Sequence, residues 1–147
     1  MISLILAAGK GTRMKSEKSK VVHEVNGVPM VKMVSKLLKN AGIEKSIYIL
    51  GHRKEEVLAT IGEVEYVEQA EQLGTGHAVL IAKEKIEENK DDVLITYGDT
   101  PLLTEETINR MKEQFYKENL DCIILSCNMK DPFAYGRIIK KDGNGMS

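Results

Sequence analysis

Apolar residues fall in short blocks along this chain, and the blocks alternate between two spacings. Residues 2–7 (Ile-Ser-Leu-Ile-Leu-Ala) form a nearly continuous apolar run just before Gly9. Such a run predicts a strand buried on both faces of a parallel sheet. From Pro29 onward Met30, Met33, Val34, Leu37, Leu38 and Ala41 recur at threes and fours, which predicts a helix opened by Pro29 and stopped by Asn40 and Gly42. Residues 46–50 predict a second strand, Val57, Leu58 and Ile61 a short helix closed by Gly62, and residues 64–67 a third strand. Residues 76–89 carry Ala78, Ile81, Ala82, Lys85 and Ile86 in helical register, and residues 93–97 predict a fourth strand ending at Gly98 and Asp99. Thr104 is placed to cap a further helix, with Glu105 and Glu106 in its first turn and Ile108, Met111 and Phe115 on its buried face. Residues 122–127 and 135–140 predict a fifth and a sixth strand, and Asp142-Gly143-Asn144-Gly145 reads as a tight turn.

Repeated strand–helix alternation implies an α/β class: a Rossmann-like, mostly parallel sheet flanked by helices, binding its ligand at the carboxyl ends of the strands. No internal repeat or linker divides residues 1–147. They read as part of one domain, and the turn signal so close to Ser147 predicts a domain truncated at its C-terminus.

Charge and composition narrow the function. The net charge is −1 with 29% charged and 42% hydrophobic residues, which excludes disorder and argues against nucleic-acid coating, where a large basic excess displaces counterions. No apolar run approaches the ~20 residues of a membrane span, and no basic leader follows Met1, so a cytoplasmic protein without a membrane partner is expected. Cys122 and Cys127 share one apolar run and are expected to be buried, reduced thiols, neither a disulfide nor a zinc site.

The first strand runs into Ala7-Ala8-Gly9-Lys10-Gly11-Thr12-Arg13-Met14, where small residues let backbone N–H groups approach a phosphate. From Gly9 to Lys20 the chain holds five basic residues and one acid, an asymmetry that favours an anionic ligand over a merely solvated loop. A Walker A loop is excluded, because Leu4 stands where its first glycine belongs and Gly11 follows Lys10. A dinucleotide fingerprint is disfavoured, since Met14 replaces its third glycine and Leu50-Gly51-His52 closes the second strand without an acid. Asp99, directly after a buried strand, can hold a hard cation such as Mg²⁺ or serve only as a turn residue before Pro101. The run Gln69-Ala70-Glu71-Gln72-Leu73-Gly74-Thr75-Gly76-His77 offers amides and exposed N–H groups to a base edge, with His77 read as a first-turn helix residue and not as a catalyst. His23 and His52 have no partner at a catalytic spacing.

Together with Lys20-Val21, Tyr97-Gly98-Asp99 and Tyr135-Gly136-Arg137, these motifs resemble the sugar-nucleotidyltransferase (MobA-like NTP transferase) family along the whole chain. Within it they are similar to the N-terminal uridylyltransferase domain of bacterial bifunctional N-acetylglucosamine-1-phosphate uridylyltransferase/glucosamine-1-phosphate acetyltransferases. The resemblance implies a nucleotide-diphospho-sugar transferase fold and synthesis of UDP-N-acetylglucosamine and pyrophosphate from UTP and N-acetylglucosamine-1-phosphate, with Mg²⁺. It implies that Leu6, Ala7, Ala8, Gly9 and Gly11 line the nucleotide, that Arg13 and Lys20 neutralise phosphate charge, and that Gln69, Gly74 and Thr75 recognise uracil. Tyr97, Gly98 and Asp99 would border ribose and metal, Asp99 as metal ligand, and Gly136 would meet the sugar. This chain has Ser19 where the family usually has proline. The family's second metal ligand, sugar-holding acid and Asn groups, and left-handed β-helix lie beyond the residues matched here. The expectation is therefore a nucleotide-binding half with impaired turnover and without the trimer of full-length members. The alternatives are a nucleotidyltransferase for another sugar phosphate, a non-catalytic nucleotide-binding fragment, and an α/β domain whose motifs are structural.

Overall fold

The computed structural model of the protein describes residues 1–9, 11, 14, 16–133 and 135–139. Strand β1 (Ile2–Leu6) opens the chain, and a single 3₁₀ turn (Lys20–Val22) leads into the hairpin of β2 (Glu24–Val25) and β3 (Val28–Pro29). Helix α1 (Met30–Asn40), strand β4 (Ser46–Leu50), helix α2 (Lys54–Ile61) and strand β5 (Glu65–Glu68) follow. Helices α3 (Thr75–Leu80) and α4 (Lys83–Asn89), strand β6 (Val93–Tyr97) and helix α5 (Glu105–Lys117) complete the order.

The main sheet is parallel, in the order β5-β4-β1-β6. All five residues of β1 are buried, as a two-sided apolar strand requires. Its alternate side chains feed two cores. Ile5 and Ala7 join Val31, Val34 and Leu38 of α1, Val57 of α2 and Ile108 of α5. Ile2, Leu4 and Leu6 join Ile47 and Ile49 of β4, Ala78 of α3 and Ala82 just before α4. Ser3, fully buried, is satisfied by the Ser46 hydroxyl at 2.7 Å.

Helix ends follow local chemistry. Thr104 Oγ1 accepts from the Thr107 N–H at 3.2 Å, the expected cap of α5. Gly42, at φ +77°, lets its own N–H reach Lys39 O and the Ile43 N–H reach Leu38 O, ending α1 as expected. The buried face of α1 is centred on Val31, Val34 and Leu38, with Met30, Met33 and Leu37 half-buried beside it.

Four expectations are corrected. The helix over residues 76–89 is two helices, because the Ala82 N–H bonds to Val79 O three residues back and tightens the turn between them. The loop before α1 contains the β2–β3 hairpin, whose Asn26 and Gly27 both have positive φ, the signature of a tight two-residue turn. Residues 122–127 and 135–139 form no strand, since an apolar run becomes a strand only with a ladder partner and none of the described residues pairs with them. Cys122 and Cys127 are accordingly free but exposed, not buried. The turn expected at Asp142 to Gly145, and Lys140, lie outside the described residues. No helix among the described residues is long and apolar enough to cross a membrane.

Edge strand β5 is pinned by charge. Glu65 meets Lys85 Nζ of α4 at 2.9 Å and Lys45 Nζ at 3.2 Å, and Lys54 of α2 pairs with Glu68. The hydrogen bond from Lys85 is the main cause holding the Glu65 carboxyl below its ordinary 4.5, and Lys45 lowers it further. A carboxylate favoured in the folded state stabilises above its unfolded pKa and loses that contribution as pH falls through the lowered folded value. Lys85→Ala should therefore lower stability at pH 7 by a small amount, since the pair is open to solvent and screened. Urea melts of both proteins at several pH values check this: the difference should shrink below pH 4.5, and a pH-independent difference would assign the loss to packing instead.

Candidate functional site

The chain leaves β1 for α1 and β4 on one side of the sheet and later returns to β6 on the other. Loops leaving the carboxyl ends of β1 and β6 consequently diverge and open a crevice between them. A cleft of about 310 Å³ occupies it. Its floor is Leu6, Ala7, Ala8 and Gly9, its walls are Lys20 and Val21 on one side and Tyr97 and Asp99 on another, and Gln69, Gln72, Gly74, Thr75 and Ala78 close it.

Small residues are needed here for measurable reasons. A Cβ on Gly98 would stand 3.1 Å from Val21 Cγ1 and 3.4 Å from Ala7 Cβ, and one on Gly11, at φ +60°, would stand 2.8 Å from Lys20 Cβ. Gly51, at the end of β4, faces the Ala8 backbone: its Cβ would lie 2.8 Å from Ala8 O. The glycine loop is thus seated on β4 as well as on β1.

Lys20 enters the cleft from the 3₁₀ turn. The Ser19 N–H before it, an N–H that a proline would lack, donates to Glu56 Oε2 of α2 at 2.8 Å and tethers the turn. Lys20 Nζ forms an ion pair with Asp99 Oδ2 across the cleft. Both side chains retain solvent access, so each is available to a ligand of opposite charge.

On the far wall Gln69, 4% exposed, donates through Nε2 to Gly74 O at 3.2 Å and lies 3.0 Å from His77 Nδ1. Gln72 Nε2 donates to Ala8 O, joining the two loops across the cleft. The sequence run containing Gln72 was legible, but its bond to Ala8 depends on how β5 and β1 are juxtaposed.

The cleft therefore gathers Leu6, Ala7, Ala8, Gly9, Lys20, Gln69, Gly74, Thr75, Tyr97 and Asp99, while Gly11 and Gly98 shape it from behind. Gly136 is exposed and does not line it. Arg13 lies outside the described residues. Among the described residues no group of three or more His, Cys, Asp or Glu side chains could hold a metal ion. Asp99 offers one hard oxygen donor at the cleft, and Lys20 already neutralises it, so the described side chains do not form a cation site by themselves.

Small residues, a lysine and a carboxylate thus meet in one cleft at the switch point of the parallel sheet of an α/β domain. The chain belongs to the MobA-like NTP transferase domain family, whose family model matches residues 3–141. It is 42% identical over 146 residues to the Bifunctional protein GlmU of Acetivibrio thermocellus, covering 99% of this chain and 32% of that protein. It is 46% identical over 141 residues to the Bifunctional protein GlmU of Alkaliphilus metalliredigens, covering 95% of this chain and 31% of that protein. The chain thus spans about a third of the length of these curated relatives. Among solved structures it is similar to a nucleotidyl transferase from Methanothermobacter thermautotrophicus, with a TM-score of 0.65, 25% identity and coverage of 77% of this chain and 57% of that one.

Gly51→Ala should destabilise the protein by about 1–3 kcal/mol, because the atoms its methyl meets are backbone and cannot rotate away. Urea unfolding measures this; an unchanged midpoint would show that the glycine loop is not seated on β4.

Proposed function

We propose that this chain carries the nucleotide-binding part of a uridylyltransferase that joins UTP and N-acetylglucosamine-1-phosphate into UDP-N-acetylglucosamine, releasing pyrophosphate. The observation that carries the reading is the meeting, in one cleft, of the backbone at Ala7 to Gly9, Lys20, Asp99 and the Gln69–Thr75 wall. The likeness to the two GlmU proteins supports the choice of substrates.

The chemistry asked of such a site is modest. A sugar-1-phosphate oxygen is already ionised near neutral pH, so no general base is needed for its attack on the α-phosphorus. What remains is in-line positioning and neutralisation of crowded negative charge. The small residues of the β1 loop let the triphosphate approach the backbone closely, Lys20 and Arg13 supply positive charge, and Gln69, Gly74 and Thr75 hold the uracil. Tyr97 borders the ribose. An arriving phosphate competes with Asp99 for Lys20 and so frees the carboxylate. Asp99 is then the residue that would hold Mg²⁺, with the remaining oxygens drawn from the nucleotide and water, and the ion would supply charge neutralisation and Lewis acidity. Gly136 as a sugar contact is kept as part of the proposal, to be tested separately from the cleft.

One observation favours a second reading, a nucleotide binder without turnover: the described side chains offer the cleft a single carboxylate donor for metal. Calorimetric titration with UTP and Mg²⁺, followed by addition of N-acetylglucosamine-1-phosphate and an assay for pyrophosphate, separates the two. Lys20→Ala should weaken UTP binding about 10- to 100-fold, the worth of one charge-assisted contact, and Arg13→Ala should weaken it in the same direction. Unchanged affinity in both variants would contradict a phosphate site here, and tight binding without pyrophosphate release would favour the second reading.

A further inference from the structure

We propose that Glu56 of α2 is a positioning residue for the nucleotide: through the Ser19 N–H it anchors the returning end of the loop that leaves β1, and so holds Lys20 where a phosphate meets it. The inference rests on the nucleotide reading above and adds to it a residue that does not line the cleft.

The loop between Gly9 and Ser19 is tied at its two ends by different means. Its outgoing end is seated on β4, where the Ala7 N–H donates to Ile49 O at 2.9 Å and Gly51 lies against Ala8. Its returning end meets the fold at Ser19, which is 4% exposed. A buried N–H needs an acceptor, and this one has Glu56 Oε2 at 2.8 Å. Arg53 Nη1 lies 4.0 Å from the same oxygen. Residues 16–18, just before Ser19, are exposed. Among the described residues their one hydrogen bond is internal to the loop, from the Lys18 N–H to Ser16 Oγ at 3.1 Å.

Val21 and Val22 also hold the turn, through burial in the core, but they follow Lys20 and secure only its far side. The turn is a single one, closed by the Val22 N–H on Ser19 O at 3.1 Å and the His23 N–H on Lys20 O at 3.3 Å. Displacing Ser19 removes the first of these bonds and frees the backbone at Lys20. Gly11 packs back on Lys20 at an approach that leaves no room for a Cβ, so loop and lysine move together. Loss of the Glu56 oxygen therefore acts twice. It leaves a buried donor drawn toward water, and it leaves a loop that the nucleotide must order as it binds.

The backbone of Ser19 supplies its own control. At φ −57° and ψ 137° it already has the conformation a proline takes, with φ about −65 ± 15°. Ser19→Pro thus removes the N–H, and with it the need for an acceptor, while the ring fixes the same φ. Combined with Glu56→Leu, it sets an apolar ring against an apolar side chain.

The test is the UTP dissociation constant, measured by calorimetry with Mg²⁺ for the wild-type chain, Glu56→Gln, Glu56→Leu and the Ser19→Pro, Glu56→Leu double variant, with urea melts of each. Amide exchange at Ser19 is read on the first three without nucleotide. Glutamine and leucine both remove the charge, so the difference between them reports the accepting oxygen and not the field at the cleft. The expected result is that Glu56→Leu weakens UTP about fivefold or more, while Glu56→Gln and the double variant stay within about twofold of wild type. Exchange at Ser19 should be slow in the wild type and Glu56→Gln and fast in Glu56→Leu. Equal affinity in Glu56→Leu and Glu56→Gln, even with a lower urea midpoint for the former, leaves Glu56 a purely structural part and overturns the proposal. A double variant that binds no more tightly than Glu56→Leu overturns it as well. If Glu56→Leu does not melt cooperatively, the same comparison is read on Glu56→Ala with the same outcomes. A wild-type chain that does not bind UTP overturns the nucleotide reading, and this inference falls with it even where slow exchange shows the anchor in place.

Discussion

Burial of β1 on both faces is the constraint on which the rest of the structure depends. Its five residues have no solvent-facing side, so helices must cover the sheet above and below, and its two edges must be satisfied by β4 and β6. A central strand hydrogen-bonded on both edges releases the chain only at its carboxyl end. There the strand ends, and the small residues Ala7, Ala8 and Gly9 follow. The cleft is therefore a product of the same packing that makes the core: Leu6 and Ala7 belong to the two cores and to the cleft floor at once.

Rigidity of this floor contrasts with the charge placed above it. Lys20 and Asp99 neutralise each other across the cleft and remain partly open to solvent, an arrangement that costs little to break when a polyanion arrives. The opposite wall is built differently. Gln69 is buried, its amide nitrogen donating to Gly74 O and lying 3.0 Å from His77 Nδ1, so the groups that would read a base are held in place while those that would meet phosphate can exchange partners. Fixed donors and acceptors discriminate between similar ligands, whereas mobile charges mainly attract.

Much of this was legible in the sequence, for reasons that differ from residue to residue. Strands β1, β4 and β6 announced themselves because apolar runs bounded by glycine have few other uses, and α5 because Thr104, Glu105 and Glu106 mark a helix start whatever it packs on. The gathering of Ala8, Lys20, Gln69 and Asp99 followed from placing motifs at strand ends. What was not legible depends on partners. Residues 122–127 have the composition of a strand, but a strand is a relation between two segments, and no described segment pairs with this one. The Asn26-Gly27 turn was readable in principle, yet strands of two residues each give no alternation to detect. The Glu56 tether on Ser19 joins residues 37 positions apart, and the Gln72 bond to Ala8 joins residues 64 apart; no local pattern encodes either.

Mapping amide chemical shifts of the isotope-labelled chain during titration with UTP and Mg²⁺ tests the central claim most directly, because it reports where the ligand sits without requiring turnover. The account predicts that the changes concentrate at Ala8, Gly9, Lys20, Gln69, Gly74, Thr75 and Asp99, at the carboxyl ends of β1 and β6, with none of comparable size in residues 121–133. Changes centred on residues 121–133, or on the opposite end of the sheet near Ser46 and Glu65, would show that the cleft formed by burying β1 is not the binding site.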